Sequence, residues 1–147
     1  MRRFHNWVKT VALRIALRDV ADAMPSVLDV GCGRAVDYSK WKHLGVCNAV
    51  ACDSSADMLR AATQRVPDAG EPDVSFVQCD MTSIPQTRAF MRRHRVFSVV
   101  TCMFSLQHAF VSDSASTCAL DFVSRSCAPG GAVVVVLPCG DAIAQRL

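Results

Sequence analysis

Apolar and polar positions follow two periods along this chain. From Asn6 to about Val20, Trp7, Val11 and Ile15 recur at i, i+4 and i+8, with Val8, Ala12 and Ala16 beside them. Arg14 and Arg18 fall outside that stripe, which predicts an amphipathic helix lying on a sheet through Trp7, Val11 and Ile15 and stopped by Pro25. Beyond it the period shortens. Short apolar runs at Val27–Val30, Asn48–Asp53, Val74–Asp80, Val96–Cys102 and Ala132–Leu137 read as strands, the first as a buried parallel strand and the fifth, rich in valine, as an exposed edge. Helical patterns separate them. One helix starts between Arg34 and Tyr38. A second is capped by Ser54, turns Met58, Leu59 and Ala62 inward and ends at Pro67. A third is capped by Ser112 and buries Ala115, Cys118, Ala119, Phe122 and Val123. Pro129-Gly130-Gly131 reads as a turn before the last strand, and Asp141 to Leu147 as the start of another helix. Strands alternating with helices predict an α/β domain with a doubly wound, mainly parallel sheet.

The chemistry gathers where these strands end. Val27-Leu28-Asp29-Val30-Gly31-Cys32-Gly33-Arg34 carries a carboxylate inside the strand and two glycines one residue apart. A turn without side chains lets the backbone lie against a ligand. The third glycine of the dinucleotide pattern is replaced by Val36, so no pyrophosphate cradle is indicated. Asp53 ends the second strand, 24 positions after Asp29, where an acid accepts hydrogen bonds from ribose hydroxyls. Asp80 ends the third. Taken singly, each is an ordinary loop acid. Together they put three carboxylates at one sheet edge, the edge on which open α/β sheets bind ligands.

Composition narrows the class. The 147 residues suffice for one domain, and 51% hydrophobic with 20% charged residues excludes a disordered chain. No run is long and apolar enough to span a bilayer, so no membrane partner is expected. Eight scattered cysteines without a C-x-x-C pair indicate a reducing compartment, buried thiols and no metal site. The net charge of +3 favours an anionic partner weakly. The stretch from Arg88 to Arg95 is basic, a solvated helix end or a contact for an RNA backbone. The first eighteen residues hold Arg2, Arg3, Lys9, Arg14 and Arg18 and no acid, as a mitochondrial targeting segment does, but they lack serine and carry a more specific pattern.

That pattern is Phe4-His5-Asn6-Trp7-Val8-Lys9, which resembles the F-N-N-W-[IVM]-K element of the mRNA cap guanine-N7 methyltransferases, a family within the class I S-adenosylmethionine (AdoMet) methyltransferases. The likeness continues. Asp29 to Trp41 is similar to that family's D-L-G-C-G-K-G-G-D-L-x-K-W, with Arg34 for lysine and Ala35-Val36 for two glycines. Met103-Phe104-Ser105-Leu106-Gln107-His108-Ala109-Phe110 looks like Q-F-x-L-H-Y-[SA]-F, and Leu137 to Asp141 resembles the T-x-P-[ND] region.

The resemblance implies a Rossmann-like sheet of the class I methyltransferase type with about five strands, lacking the last two of the family. It implies a single domain over residues 1–147 that is C-terminally incomplete. It implies AdoMet as methyl donor, no metal, and no catalytic acid or base. Lys9 would pair with the methionine carboxylate of AdoMet. Asp29, Gly31 and Asp37 would surround the amino-acid moiety. Asp53 would take the ribose, Asp80 the adenine amino group, and Met103, Phe104, Ser105 and His108 the adenosine pocket. His5, Asn6, Phe104, Gln107 and His108 would face the capped guanine, and Arg34 the cap phosphates. Capped RNA is the implied partner, with a guanylyltransferase or other capping domain beside it. The nucleus is the implied compartment, with the cytoplasm as the alternative. Met103, Gln107 and His108 depart from the family pattern on the acceptor side. Two alternatives therefore stand: AdoMet-dependent methylation of another acceptor, and a truncated domain that binds AdoMet or a partner without turnover.

Overall fold

The computed structural model describes residues 2–66 and 72–140 of the chain, with only the backbone of Arg2. Among the described residues five helices and five strands follow in the order α1 (Arg2–Asp19), β1 (Ser26–Val30), α2 (Tyr38–His43), β2 (Asn48–Asp53), α3 (Ala56–Arg65), β3 (Asp73–Gln78), α4 (Ile84–Arg93), β4 (Phe97–Met103) and, after a 3-10 turn at Leu106–Ala109, α5 (Asp113–Ser126) and β5 (Cys127–Val136). The strands form one sheet, ordered β3-β2-β1-β4-β5, and every pair is parallel. The order reverses at β1, so the crevice between the carboxyl ends of β1 and β4 is the topological switch point.

Both faces are covered at the central strands β1 and β4, which is why these read as continuous apolar runs, whereas the edge strands β3 and β5 keep exposed positions, Val133 and Val135 among them. Side-chain alternation sends Val27 to one face and Leu28 to the other. Val27 joins Leu13 and Ala16 of α1, Val20 just after it, Trp41 of α2 and Leu59 of α3. Leu28 joins Phe90 of α4 and Phe122 of α5, whose rings meet edge to face with centroids 5.2 Å apart. Such a pair is worth about 1 kcal/mol beyond the area it buries.

Four expectations need correction. The buried face of α1 is Lys9, Leu13 and Ala16, continued by Val20 just beyond the helix, whereas Trp7 is 61% and Ile15 47% exposed. Lys9 decides the rotation: its Nζ donates to Asp37 Oδ2 at 2.8 Å, both groups buried, and the helix turns that face inward. A count of apolar residues cannot include a lysine drawn in by a carboxylate. The cap of α3 is Ser55, whose hydroxyl accepts the Met58 N–H at 3.3 Å; Ser54 stands one residue early. Met58 itself faces outward at 37% exposure. Finally, Pro129-Gly130-Gly131 lies within β5 rather than before it. The pairing jumps from Phe97↔Cys127 to Val99↔Ala132, so three extra residues bulge from β5. A Cβ at residue 131 would stand 2.7 Å from the Ser98 carbonyl oxygen, a close approach open only to glycine. The helix expected at Asp141 to Leu147 and the stop at Pro67 lie outside the described residues.

Candidate functional site

A cavity of about 480 Å³ opens at the carboxyl edge beside the switch point. Gly31 and Gly33 from the β1 turn, Asp53 at the end of β2 with Ser54 after it, Met58 of α3, and Cys79, Asp80, Met81 and Thr82 after β3 line it, with Phe104, Ser105 and His108 after β4. Six of the expected site residues thus share one cavity: Gly31, Asp53, Asp80, Phe104, Ser105 and His108.

The turn after β1 is built on left-handed backbone. Gly31 has φ +74° and Gly33 φ +54°. The two are not equivalent. A Cβ on Gly31 would come 2.3 Å from Cβ of Ser105, while one on Gly33 would meet nothing within 4 Å. Gly31 is therefore where the β1 and β4 loops touch, and Ser105 seals that contact by donating its hydroxyl to the Val30 carbonyl at 2.5 Å. Gly33 serves another purpose. Its N–H donates to Asp53 Oδ2 at 2.9 Å, and the Ser55 N–H donates to Oδ1 at 2.9 Å. The β2 carboxylate is held by two main-chain donors, and each oxygen keeps a lone pair for a hydroxyl donor. Asp80 is held from one side: Oδ1 accepts the Thr82 N–H at 2.8 Å and the Thr82 hydroxyl at 2.7 Å.

Asp29 and Asp37 lie beneath the cavity floor. Asp29 is 2% exposed and accepts the Thr101 hydroxyl at 2.6 Å. Burial pushes its pKa up to about 7; the Thr101 bond opposes this, and the Asp37 charge adds to it. Asp37 sits between two ammonium groups, Lys9 at 2.8 Å and Lys40 at 2.6 Å. Lys9 Nζ also lies 5.5 Å from the centre of the Phe104 ring, a cation–π distance.

Phe104 connects the two sides of the site. Its φ of +63° is rare for a side chain of that size. Three contacts hold it: its N–H donates to the Val136 carbonyl at 2.9 Å, its carbonyl accepts Gln107 Nε2 at 2.7 Å, and its ring meets His5 at 5.0 Å between centroids. Gln107 is thus turned back onto the main chain, with its Oε1 buried and unpartnered. Asn6 Oδ1 accepts from Lys40 Nζ at 3.3 Å, Arg34 is exposed, and Met103 is buried. None of these four lines the cavity.

Thr101, Ser55, Met81 and Thr82 stand at the site without being singled out by the sequence pattern, whereas Lys40 matches the lysine of the family's D-L-x-K-W. Of those four only Thr101 carried a signal, a hydroxyl in an otherwise apolar strand. The buried thiols are inert: burial raises Cys79 to about 11 and Cys102 to about 12, and Cys32 higher still.

The residues present fit AdoMet. The ligand has a ribose diol and an adenine to be met by short acids, and the edge offers two carboxylates with spare acceptor capacity at the ends of adjacent strands. Among the described residues no cluster of His, Cys, Asp or Glu has metal-binding geometry, and no helix is long and apolar enough to cross a membrane.

Known proteins agree with this reading. In solved structures, an S-adenosylmethionine-dependent methyltransferase from Clostridium acetobutylicum superposes with a TM-score of 0.71 at 18% identity, over 97% of this chain and 53% of that one. That likeness establishes the fold: the sheet and its helices are those of the AdoMet-dependent methyltransferases. The mRNA cap guanine-N(7) methyltransferase of Schizosaccharomyces pombe is 27% identical over 148 residues, all of this chain and 41% of its own length. That of Caenorhabditis elegans is 28% identical over 152 residues, 97% of this chain and 40% of its own length. The chain spans about two fifths of the length of these relatives. The family model of the mRNA (guanine-N(7))-methyltransferase domain matches residues 1–147, and the chain belongs to that family.

Proposed function

We propose that this chain carries the AdoMet-binding part of an enzyme that methylates N7 of the guanine cap of mRNA. The observation that carries the reading is the convergence of Gly31, Asp53, Asp80, Phe104, Ser105 and His108 on one cavity at the switch point, in a chain matched by the family model from end to end.

The reaction asks little acid–base chemistry of the protein. Guanine N7 offers a lone pair and carries no proton, so no general base is required. AdoMet, when bound, supplies an electrophilic methyl on a sulfonium whose leaving group is a neutral thioether. The residues of this chain then bind, orient and exclude water. Asp53 would hold the ribose in the position set by the Gly33 and Ser55 amides, and Asp80 would receive the adenine amino group. The Lys9–Asp37–Lys40 cluster would present mixed charge to the amino-acid end, with Lys9 divided between Asp37 and the ligand carboxylate. Met103 and Ser105 would support the adenosine pocket from behind. Phe104, His5 and His108 would supply aromatic surface for the guanine, with Asn6 and Gln107 nearby and Arg34 free for cap phosphates. A nuclear location and a guanylyltransferase partner belong to the same reading, since capping acts on new transcripts in sequence.

A second reading, methyl transfer to a different acceptor, is favoured by one observation: the Gln107 amide is bonded to the Phe104 carbonyl rather than lining the cavity. The test is transfer of labelled methyl from AdoMet to GpppN-capped RNA, with this chain beside a version extended by its natural downstream sequence. Transfer to N7 is expected in the extended form. AdoMet binding without transfer to capped RNA in either form would overturn the cap assignment in favour of the second reading.

A further inference from the structure

A second and larger groove, of about 930 Å³, runs between α4 and α5 on the sheet face opposite α1. Its walls include Arg88 and Arg92 from α4, and Ser114, Thr117, Asp121 and Arg125 from α5. Both helices begin at the carboxyl edge and run back along the sheet. The groove therefore starts beside the candidate site: Thr82, in the wall of the site cavity, lies two residues before Ile84 at the head of the groove.

The α4 wall of the groove is basic, whereas the α5 wall carries Asp113 and Asp121 beside Arg125. Residues 84–95 hold Arg88, Arg92, Arg93 and Arg95 and no acid, whereas the whole chain carries only +3. The remainder of the protein is thus net negative by one, and the positive charge is concentrated along α4 and the two residues after it, with Arg88 and Arg92 facing the groove and Arg93 and Arg95 outside its lining. All four guanidiniums are exposed, and among the described residues none meets a carboxylate. Arg125 does, at 3.7 Å from Asp121, and that exposed pair is weak. Arg88 and Arg92 stand one turn apart on the same helix face, a rise of about 6 Å, comparable to the separation of successive phosphates on one strand. The Ser114 and Thr117 hydroxyls on the facing wall are exposed donors and acceptors for sugar hydroxyls.

We propose that the α4–α5 groove binds the phosphate backbone of the RNA that follows the cap, with Arg88 and Arg92 as its principal contacts. The inference rests on the cap-methylation reading, because that reading places the 5′ end of an RNA at the adjoining edge. Single-stranded RNA is favoured over an acidic protein segment because the groove begins at Ile84, two residues from Thr82 in the wall of the site cavity.

The test is fluorescence anisotropy of an uncapped 15-nucleotide RNA against the chain across a salt series. R88S/R92S is compared with R60S/R65S, an equal charge change on α3. The wild type is expected to bind, R88S/R92S to bind about tenfold more weakly at 0.1 M salt, and its log–log salt slope to fall by about 1.4, the value for two phosphate contacts on a single strand. R60S/R65S is expected to match the wild type, and S-adenosylhomocysteine affinity to be unchanged in both. Equal loss in the two variants, or none in R88S/R92S, would overturn the proposal. So would displacement of the RNA by oligoglutamate of equal charge, which would mark an acidic-protein surface. The failure modes separate cleanly. Groove-dependent RNA binding without cap methylation by the extended polypeptide counts against the acceptor assignment. Methylation of a GpppN dinucleotide with no R88S/R92S-sensitive gain from a longer RNA counts against the groove.

Discussion

The two halves of the ligand edge are held by different kinds of interaction. The half built on β1, β2 and β3 is fixed by main chain. Left-handed glycines shape its turn, amides of Gly33 and Ser55 grip Asp53, and the Thr82 amide grips Asp80. The half after β4 has one main-chain bond, from the Phe104 N–H to the Val136 carbonyl, and otherwise rests on side chains: Gln107 on the Phe104 carbonyl, the His5 ring and Lys9 against the Phe104 ring, and Ser105 on the Val30 carbonyl. A main-chain device needs a particular residue type at a particular position, and few substitutes satisfy it. A side-chain device can be rebuilt from other residues. The first half matches the family pattern closely, and the second departs from it at Met103, Gln107 and His108.

The strongest way to break the first half is through Asp37. Asp37→Ala leaves the Lys9 and Lys40 ammonium groups buried without their carboxylate, each with a side chain only 10% exposed. A loss of about 3 kcal/mol is expected in urea denaturation. If the variant is within 1 kcal/mol of wild type, the cluster does not hold α1 in place.

The glycines give a sharper contrast. Gly31→Ala adds a Cβ that cannot fit against Ser105 and strains a φ of +74°, and about 3 kcal/mol should be lost. Gly33→Ala meets open space and should cost about 1 kcal/mol, the strain alone. Equal costs would mean that contact between the β1 and β4 loops is unimportant.

Asp29 offers a pH readout. Its carboxyl keeps the proton up to about pH 7 in the folded chain but releases it near 4 when unfolded. The folded state therefore binds more protons between those values. The contribution of Asp29 is fully present below pH 4 and is lost as pH rises through 7. Asp29→Asn should remove that downward slope and gain stability relative to wild type at pH 8, by on the order of a few kcal/mol. Parallel stability–pH curves for the two proteins would contradict this.

The smallest effect belongs to the second half. Gln107→Ala removes one hydrogen bond, costs about 1 kcal/mol of stability, and leaves S-adenosylhomocysteine affinity within twofold. A large loss of that affinity would show that the halves are not separable.

This contrast also explains how much could be read from the chain. The five strands, their helices and the acids at their carboxyl ends follow from apolar runs of the right length that lead to Gly31, Asp53 and Asp80, whereas the strand order and the position of the switch point come from the pairing of the strands in space. The face of α1 could not be read, since a buried ion pair 28 residues apart in sequence outweighs Trp7 and Ile15 in setting the rotation. Pro129-Gly130-Gly131 misled because the three residues supply a turn and a bulge equally well, and only the register against β4 distinguishes them. The orientation of Gln107 depends on the conformation of Phe104, which no local pattern encodes.

The most direct measurement is calorimetric titration of the chain with S-adenosylhomocysteine, wild type against Asp53→Asn, with circular dichroism to confirm that both are folded. Saturable one-to-one binding is expected for wild type, weakened at least tenfold in Asp53→Asn, the equivalent of about 1.4 kcal/mol. Equal affinity in two folded proteins would mean that the carboxyl edge beside β1 is not where the methyl donor sits.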